Sequence, residues 1–411
     1  MKTMIKKAIV LGGTVPHIEL IRQLKERGYY TILVDYLPNP PAKQYADEHI
    51  QESTLDSETV YEIAVKNNVD LVIATCIDHA NRTACEVLER MGKHYPYSSQ
   101  IAKFVTDKSL MKQVLKGNNL PTTDYLILNS SDAEVNLLYP VVVKPVDSNG
   151  SRGIRKIDSP CDLKTALYEA ISASKTGTAV VEEFAEGVEV SIYAYILHGV
   201  AHIILSNERK VMYDEETGKM PGFAMVYPSK EVSRLEPQLC DLCTNVAAAF
   251  HLDNTPLLIQ AKISGDEIKI IEIMPRIGGG QSYWNIKRLT GFDMISAAID
   301  SFLGIEPSLE YHRPNTITVT NNVYTETAVF GWIEGGDTII RDHIADEYKE
   351  LRNRGDEIEG NLSTGNRVCT FIVSGHTWDE AFEKIEKAFH TIKVYDIEGN
   401  SIKREDIFLH S

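Results

Sequence analysis

A chain of 411 residues, 43% hydrophobic and 24% charged, has the composition of a soluble globular protein long enough for two or three domains. Its formal net charge of −16 opposes binding to nucleic acid and to anionic membranes, so neither is an expected partner. A local basic cleft for phosphates stays compatible with that field.

Met1-Lys-Thr-Met-Ile-Lys-Lys leads straight into a strand at Ala8–Leu11. The apolar run is far too short for a signal sequence or a membrane span, which predicts a cytoplasmic protein. Strand 8–11, a helix carrying Ile18, Ile21 and Leu24, strand 31–34, helix 60–65, strand 71–74 and helix 81–91 alternate in turn. That order predicts a parallel α/β domain over residues 1–104. Gly12-Gly13 followed by Asp35 resembles a dinucleotide fingerprint only superficially, because Gly12-Gly-Thr-Val-Pro16 lacks the G-x-G-x-x-G spacing.

Thr106-Asp107-Lys108 carries a helix N-cap signature, and Leu120-Pro121 ends that helix. Strand 125–128, strand 141–144, helix 162–174 and strand 179–182 follow, then a hairpin over 188–197 and 202–205 around His198-Gly199. Residues 208–224 are charged and contain glycine, which predicts a loop over a cleft. Helix 239–250 contains Cys240-x-x-Cys243, but with no second pair it reads as a packed helix rather than a zinc or redox site. A hairpin (257–263 and 268–274) and helix 292–302 complete a domain over 105–305. From 306 to 411, strand 368–374 and helix 377–392 predict a small α+β subdomain.

The chemistry concentrates in three places. Pro140-Val-Val-Val-Lys144 is a β-branched run ending in a lysine, followed by Ser148-Asn-Gly150-Ser151-Arg-Gly153. Glycine lets backbone N–H groups approach phosphate oxygens, and the strand holds the lysine beside them. Next, Glu182-Glu183-Phe184-Ala185 and Glu186-Gly187-Val188-Glu189 bracket one glycine turn with acidic groups. Acceptors for an adenine amino group and for ribose hydroxyls would account for them. Third, strand alternation with closure over Ser264-Gly265-Asp266 places Gln260 roughly opposite Glu272, an oxygen pair that can share a magnesium ion with phosphates. Arg276 follows with a planar fork suited to a phosphoryl group or a carboxylate. Gly278-Gly-Gly280-Gln-Ser282 beside it offers backbone donors for an amino-acid carboxylate. Arg288 and Glu208-Arg209-Lys210 read either as cleft groups or as solvated surface.

Together, Lys108, Val-Lys144-Pro, Gly150-Ser-Arg-Gly153, Val-Glu182-Glu183-Phe, Gly187-x-Glu189, Gln260 and Glu272-Ile-Met-Pro-Arg276 resemble the ATP-grasp superfamily. The likeness is strongest to carboxylate–amine ligases of the carbamoyl-phosphate-synthase and L-amino-acid-ligase kind. Leu33-Val-Asp35-Tyr and Ala42-Lys-x-Tyr45-Ala46-Asp47-Glu48 resemble that group's pre-ATP-grasp domain, so the likeness spans nearly the whole chain. It implies a pre-ATP-grasp domain, an ATP-grasp fold and the C-terminal subdomain, with ATP and Mg²⁺ as cofactors.

By that resemblance Lys108 and Lys144 contact phosphates, and Ser148, Gly150, Ser151 and Gly153 belong to a flexible lid. Glu182 receives the adenine amino group, the Glu183–Ala185 backbone meets the ring edge, and Glu189 holds the ribose. Gln260 and Glu272 are the magnesium ligands, with Arg276 and Lys144 catalytic at the acyl phosphate. Met274 departs from the family's usual asparagine, and a thioether is a poor ligand for a hard cation. The implied reaction joins a small carboxylate to an amine, with amino-acid-like substrates, and many members are homodimers. The alternatives are carbamate or bicarbonate phosphorylation and a degenerate ATP-binding regulatory module.

Overall fold

The computed structural model describes residues 5–147, 153–212, 222–361 and 366–409. Apolar runs in the first hundred residues become parallel strands: β1 (Lys6–Leu11), β2 (Tyr29–Val34), β3 (Glu48–Ile50) and β4 (Leu71–Ile73), in the order β3-β2-β1-β4. Helices α1 (Val15–Glu26) and α2 (Ser57–Asn67) connect them, and α3 (Asp78–Arg90) follows β4. Ala8–Leu11 have no exposed surface, as expected of a parallel strand covered on both faces.

Two consecutive helices, α4 (Ser99–Thr106) and α5 (Lys108–Gly117), lead into the next layer. The Asp107 carboxylate caps α5 by accepting from the backbone N–H of Ser109 and Leu110 at 2.9 and 3.2 Å. Strands β5 (Tyr125–Leu128), β6 (Val141–Pro145), β7 (Arg155–Ile157) and β8 (Ala179–Glu183) form an antiparallel sheet in the order β5-β8-β6-β7. Helix α6 (Leu163–Ala173) covers it with Leu163, Ala166, Leu167 and Ala170 against Val141, Val143 and Val181.

The larger sheet is built from β9 (Val188–Leu197), β10 (Val200–Val211), β11 (Gly222–Tyr227), then after α7 (Lys230–Arg234) and α8 (Glu236–Ala249) from β12 (Thr255–Ser264) and β13 (Glu267–Met274). Helices α9 (Ser282–Thr290) and α10 (Met294–Leu303) follow. The last hundred residues supply β14 (Ile317–Val323), β15 (Ala328–Glu334), α11 (Gly336–Arg341), β16 (Glu347–Glu350), β17 (Glu357–Ile358), β18 (Cys369–Gly375), α12 (Trp378–Thr391) and β19 (Lys393–Asp396). Three of these strands extend the larger sheet, whose order is β13-β12-β9-β10-β11-β14-β18-β16; β17-β15-β19 form a small sheet.

The stretch 208–224 departs from its expected loop. β10 continues to Val211 and β11 begins at Gly222, with Glu208 opposite Val226 and Arg209 opposite Met225. Its charges are compatible with a strand because they are paired: Lys210 meets Glu208 at 2.9 Å and Arg209 meets Glu189 at 2.6 Å. Residues 213–221 lie outside the described residues. Among the described residues no helix is long and apolar enough to cross a membrane.

Candidate active site

Strand β6 is buried at every position, so Lys144 near its end is turned into the protein rather than to solvent. Its position is held from α5, where the Lys108 N–H donates to Val146 O at 3.0 Å. Lys144 is 3% exposed, and its ammonium donates to Oε1 of Glu182 on the neighbouring strand β8. The other carboxylate oxygen, Oε2, meets Lys112 Nζ at 2.5 Å and accepts from Thr123 Oγ1 at 2.7 Å. Burial alone would raise the Glu182 pKa, but the two lysines outweigh it and bring the pKa down to about 2. Lys112 is fully buried, and that burial lowers its own pKa against the pull of Glu182.

Beyond Glu182, the Glu183 carboxylate accepts from Leu138 N at 3.1 Å and Phe184 N donates to Pro140 O at 2.9 Å. The ammonium groups of Lys156 and Lys262 lie 5.0 and 5.8 Å from the centroid of the Phe184 ring. Ala185 follows on the connection to β9. Gly187 has φ +106°, and a Cβ there would lie 2.3 Å from Ile263 O, so only glycine fits this turn. Glu189, two residues on, takes Arg209 at 2.6 Å and lies 3.6 Å from Lys262. Gly153, at φ +70°, packs against Pro145. Ser148, Gly150 and Ser151 lie outside the described residues.

Gln260 is paired directly with Glu272 across β12 and β13, with a bulge immediately after it. Lys108 Nζ lies 3.3 Å from Glu272 Oε1. Among the described residues, no group of three or more His, Cys, Asp or Glu side chains is placed to hold a metal. One carboxylate and one amide oxygen fit a magnesium ion that takes its remaining ligands from phosphates and water, not a dedicated protein cage. Met274 is 4% exposed, and its Sδ lies 2.9 Å from Arg276 Nη2.

The Arg276 guanidinium is engaged from the N-terminal layer. Its Nε and Nη2 donate to Asp78 Oδ1 and Oδ2 at 2.7 and 2.8 Å, a fork-to-carboxylate pair. Adjacent contacts join the same two layers: Ile277 N donates to Thr75 O at 3.1 Å and Tyr97 OH donates to Pro275 O at 3.1 Å. His79 Nε2 lies 3.2 Å from Asp147 O at the end of the lysine strand. Thus Lys108, Lys144, Glu182, Gln260 and Glu272 fall along one run of contacts, with Arg276 two residues beyond Met274 and clamped by Asp78.

The structure also places three other sequence features. Asp35 accepts from Gly13 N at 2.7 Å and Leu37 N at 2.8 Å, while Pro40 packs on Gly13, so the Gly12-Gly13 turn is closed upon itself. Arg288 pairs with Asp346 at 2.9 Å from α9. Cys243 is buried in the α8 core, where burial pushes its thiol up, and Cys240 is half-buried.

Sequence reading missed Lys112, Thr122, Thr123 and Asp78. Lys112 stands four residues after Lys108 in a helix, a spacing that puts both on one face, but surface lysines share that pattern. For Asp78 a usable signal existed, since it follows the carboxyl end of a parallel strand, where ligands of open α/β sheets gather.

An ATP-grasp domain model matches residues 137–283. The chain is 23% identical over 336 residues to "Multifunctional protein ura1" of Schizosaccharomyces pombe, covering 79% of this chain and 14% of that protein. It is 28% identical over 186 residues to the formate-dependent phosphoribosylglycinamide formyltransferase of Bacillus subtilis, covering 44% of this chain and 48% of that protein. It therefore spans less than half the length of these two relatives. The solved L-amino acid ligase of Bacillus licheniformis superposes with a TM-score of 0.80 over 95% of this chain and 98% of that one, at 17% identity; this likeness establishes the fold alone.

Proposed function

We propose that this chain, whose residues 137–283 match an ATP-grasp domain model, is an ATP- and magnesium-dependent carboxylate–amine ligase. The observation that carries the reading is the Lys108–Glu272 contact at 3.3 Å, with Gln260 across the strand pair from that glutamate. A cation from the nucleotide-side helix and two metal-capable oxygens share one place, which suits a magnesium-bound phosphate chain.

In this reading Lys108 and Lys144 neutralise phosphate charge, and Glu182 and the Glu183–Ala185 backbone receive adenine. Glu189 receives the ribose, and Ser148, Gly150, Ser151 and Gly153 belong to a lid. Gln260 and Glu272 would hold magnesium, which supplies charge neutralisation at the γ-phosphoryl group. A substrate carboxylate oxygen attacks the γ-phosphorus and ADP leaves, giving an acyl phosphate. The amine then forms the C–N bond as inorganic phosphate departs and the nitrogen loses a proton. Arg276, its orientation fixed by Asp78, would steady negative charge at that centre. The 1–104, 105–305 and 306–411 division assigns these groups chiefly to the middle domain.

The substrates would be small and amino-acid-like, the setting cytoplasmic and the assembly a homodimer. One observation favours a second reading, an ATP-binding module without ligase activity: buried Met274 presents sulfur to Arg276 where a second hard ligand would serve the metal. Assaying ADP and phosphate release with Mg²⁺-ATP across single and paired amino acids and carboxylates separates the two. Release that needs both a carboxylate and an amine supports the ligase. ATP binding with no stimulated release from any pair favours the module.

A further inference from the structure

Lys112 is a fully buried cation whose ammonium has three neighbours and three protons to give. It meets Glu182 Oε2 at 2.5 Å and donates to Thr122 Oγ1 and Thr123 Oγ1 at 2.9 Å each. No proton is left over for a ligand, and no surface is open to one. Lys108, one helical turn earlier on the same face of α5, lies instead at Glu272. The two lysines of one face therefore act at opposite ends of the proposed nucleotide site.

Glu182 stands between two lysines with a single negative charge. Its Oε1 holds Lys144, the lysine proposed for phosphate, and its Oε2 holds Lys112 and Thr123. A phosphate that takes Lys144 weakens or removes the contact to Oε1. A carboxylate 5% exposed would then be left without a countercharge, and breaking a buried pair in that way is strongly unfavourable. Lys112 removes the difficulty by staying on Oε2. The liberated Oε1 also becomes the acceptor available to an amino group on a base.

We infer that Lys112 is a positioning residue that keeps Glu182 compensated and in place, so that Lys144 can be handed to the phosphates while the carboxylate receives the base. This rests on the nucleotide reading above and deepens it. Thr122 extends the device, because its hydroxyl accepts from Lys112 and donates to Ile270 O at 3.1 Å, two residues before Glu272 on β13. The buried lysine thereby joins the base-side carboxylate to the metal-side strand. Lys112 acts through Glu182 and touches neither phosphate nor base.

The test is calorimetric titration of the full chain with MgADP in a double-mutant cycle. Lys112→Met is expected to weaken binding about tenfold or more and to raise KM for ATP with kcat changed less than about threefold. In the Glu182→Gln background, where no carboxylate charge needs compensation, adding Lys112→Met is expected to cost little further affinity. Wild-type affinity in Lys112→Met, or an equal loss in both backgrounds, overturns the inference. Should Lys112→Met fail to melt cooperatively, Thr123→Val takes its place, with a loss of about threefold that again depends on Glu182. Absence of MgADP binding by the wild-type chain would overturn the nucleotide reading itself, an outcome distinct from normal wild-type binding with an inert Lys112.

Discussion

His17 has no exposed surface, and its Nδ1 lies 2.8 Å from Thr14 Oγ1. Burial depresses its pKa from 6.5 to about 4, only partly opposed by the Thr14 hydrogen bond and Asp35. Below pH 6.5 the unfolded chain binds a proton that the folded imidazole refuses. Stability is therefore complete above pH 6.5 and falls as pH drops toward 4, by on the order of 3 kcal/mol. His17→Gln should flatten that part of a urea-unfolding pH profile. Glu182 adds a lower phase of the same sign, present above 4.5 and lost toward 2. At the proposed site, Lys144→Ala should weaken MgATP binding at least about tenfold, read by calorimetry; unchanged affinity would reject the phosphate placement. Glu272→Ala should abolish magnesium-dependent turnover while the thermal melt stays cooperative.

At the scale of elements, the proposed site depends on how few residues join the lysine strand, the acidic turn and the β12–β13 hairpin. Asp107 begins α5, and that helix carries both Lys108 and Lys112. Asp107→Ala should cost about 1 kcal/mol of stability through the lost cap, measured by chemical denaturation. Gly187→Ala should be far more damaging than a helix cap, because the added methyl meets the Ile263 carbonyl and the backbone sits at φ +106°. Much of this level was legible in the sequence. Alternation and the Ser264-Gly265-Asp266 turn placed Gln260 only roughly opposite Glu272; the direct pairing depends on a bulge after Gln260 that shifts the register by one residue, which the sequence does not announce. The continuation of β10 and β11 into 208–224 was not legible, since charge and glycine resemble a loop until Arg209 and Lys210 find Glu189 and Glu208. Lys112 was hidden for a related reason: only the fold shows that a lysine on a helix face meets a carboxylate from a strand seventy residues away.

At the scale of the whole molecule, the N-terminal layer closes on the larger sheet through Arg276–Asp78, Ile277–Thr75 and Tyr97–Pro275. Burial would lower the Arg276 pKa, but Asp78 outweighs it and holds the group charged. Asp78→Ala should cost about 3–5 kcal/mol, because it leaves a buried guanidinium without its partner. The order of α/β and antiparallel modules could be read from hydrophobic period, but this closure could not, as it joins residues two hundred positions apart. The most direct test of the central claim uses ¹⁸O-labelled carboxylates with Mg²⁺-ATP and candidate amines, followed by mass analysis of the released phosphate. Transfer of one ¹⁸O from carboxylate to phosphate, in step with C–N bond formation, is the predicted result. Phosphate released without label while product forms would contradict an acyl phosphate, and with it the ligase mechanism assigned to this site.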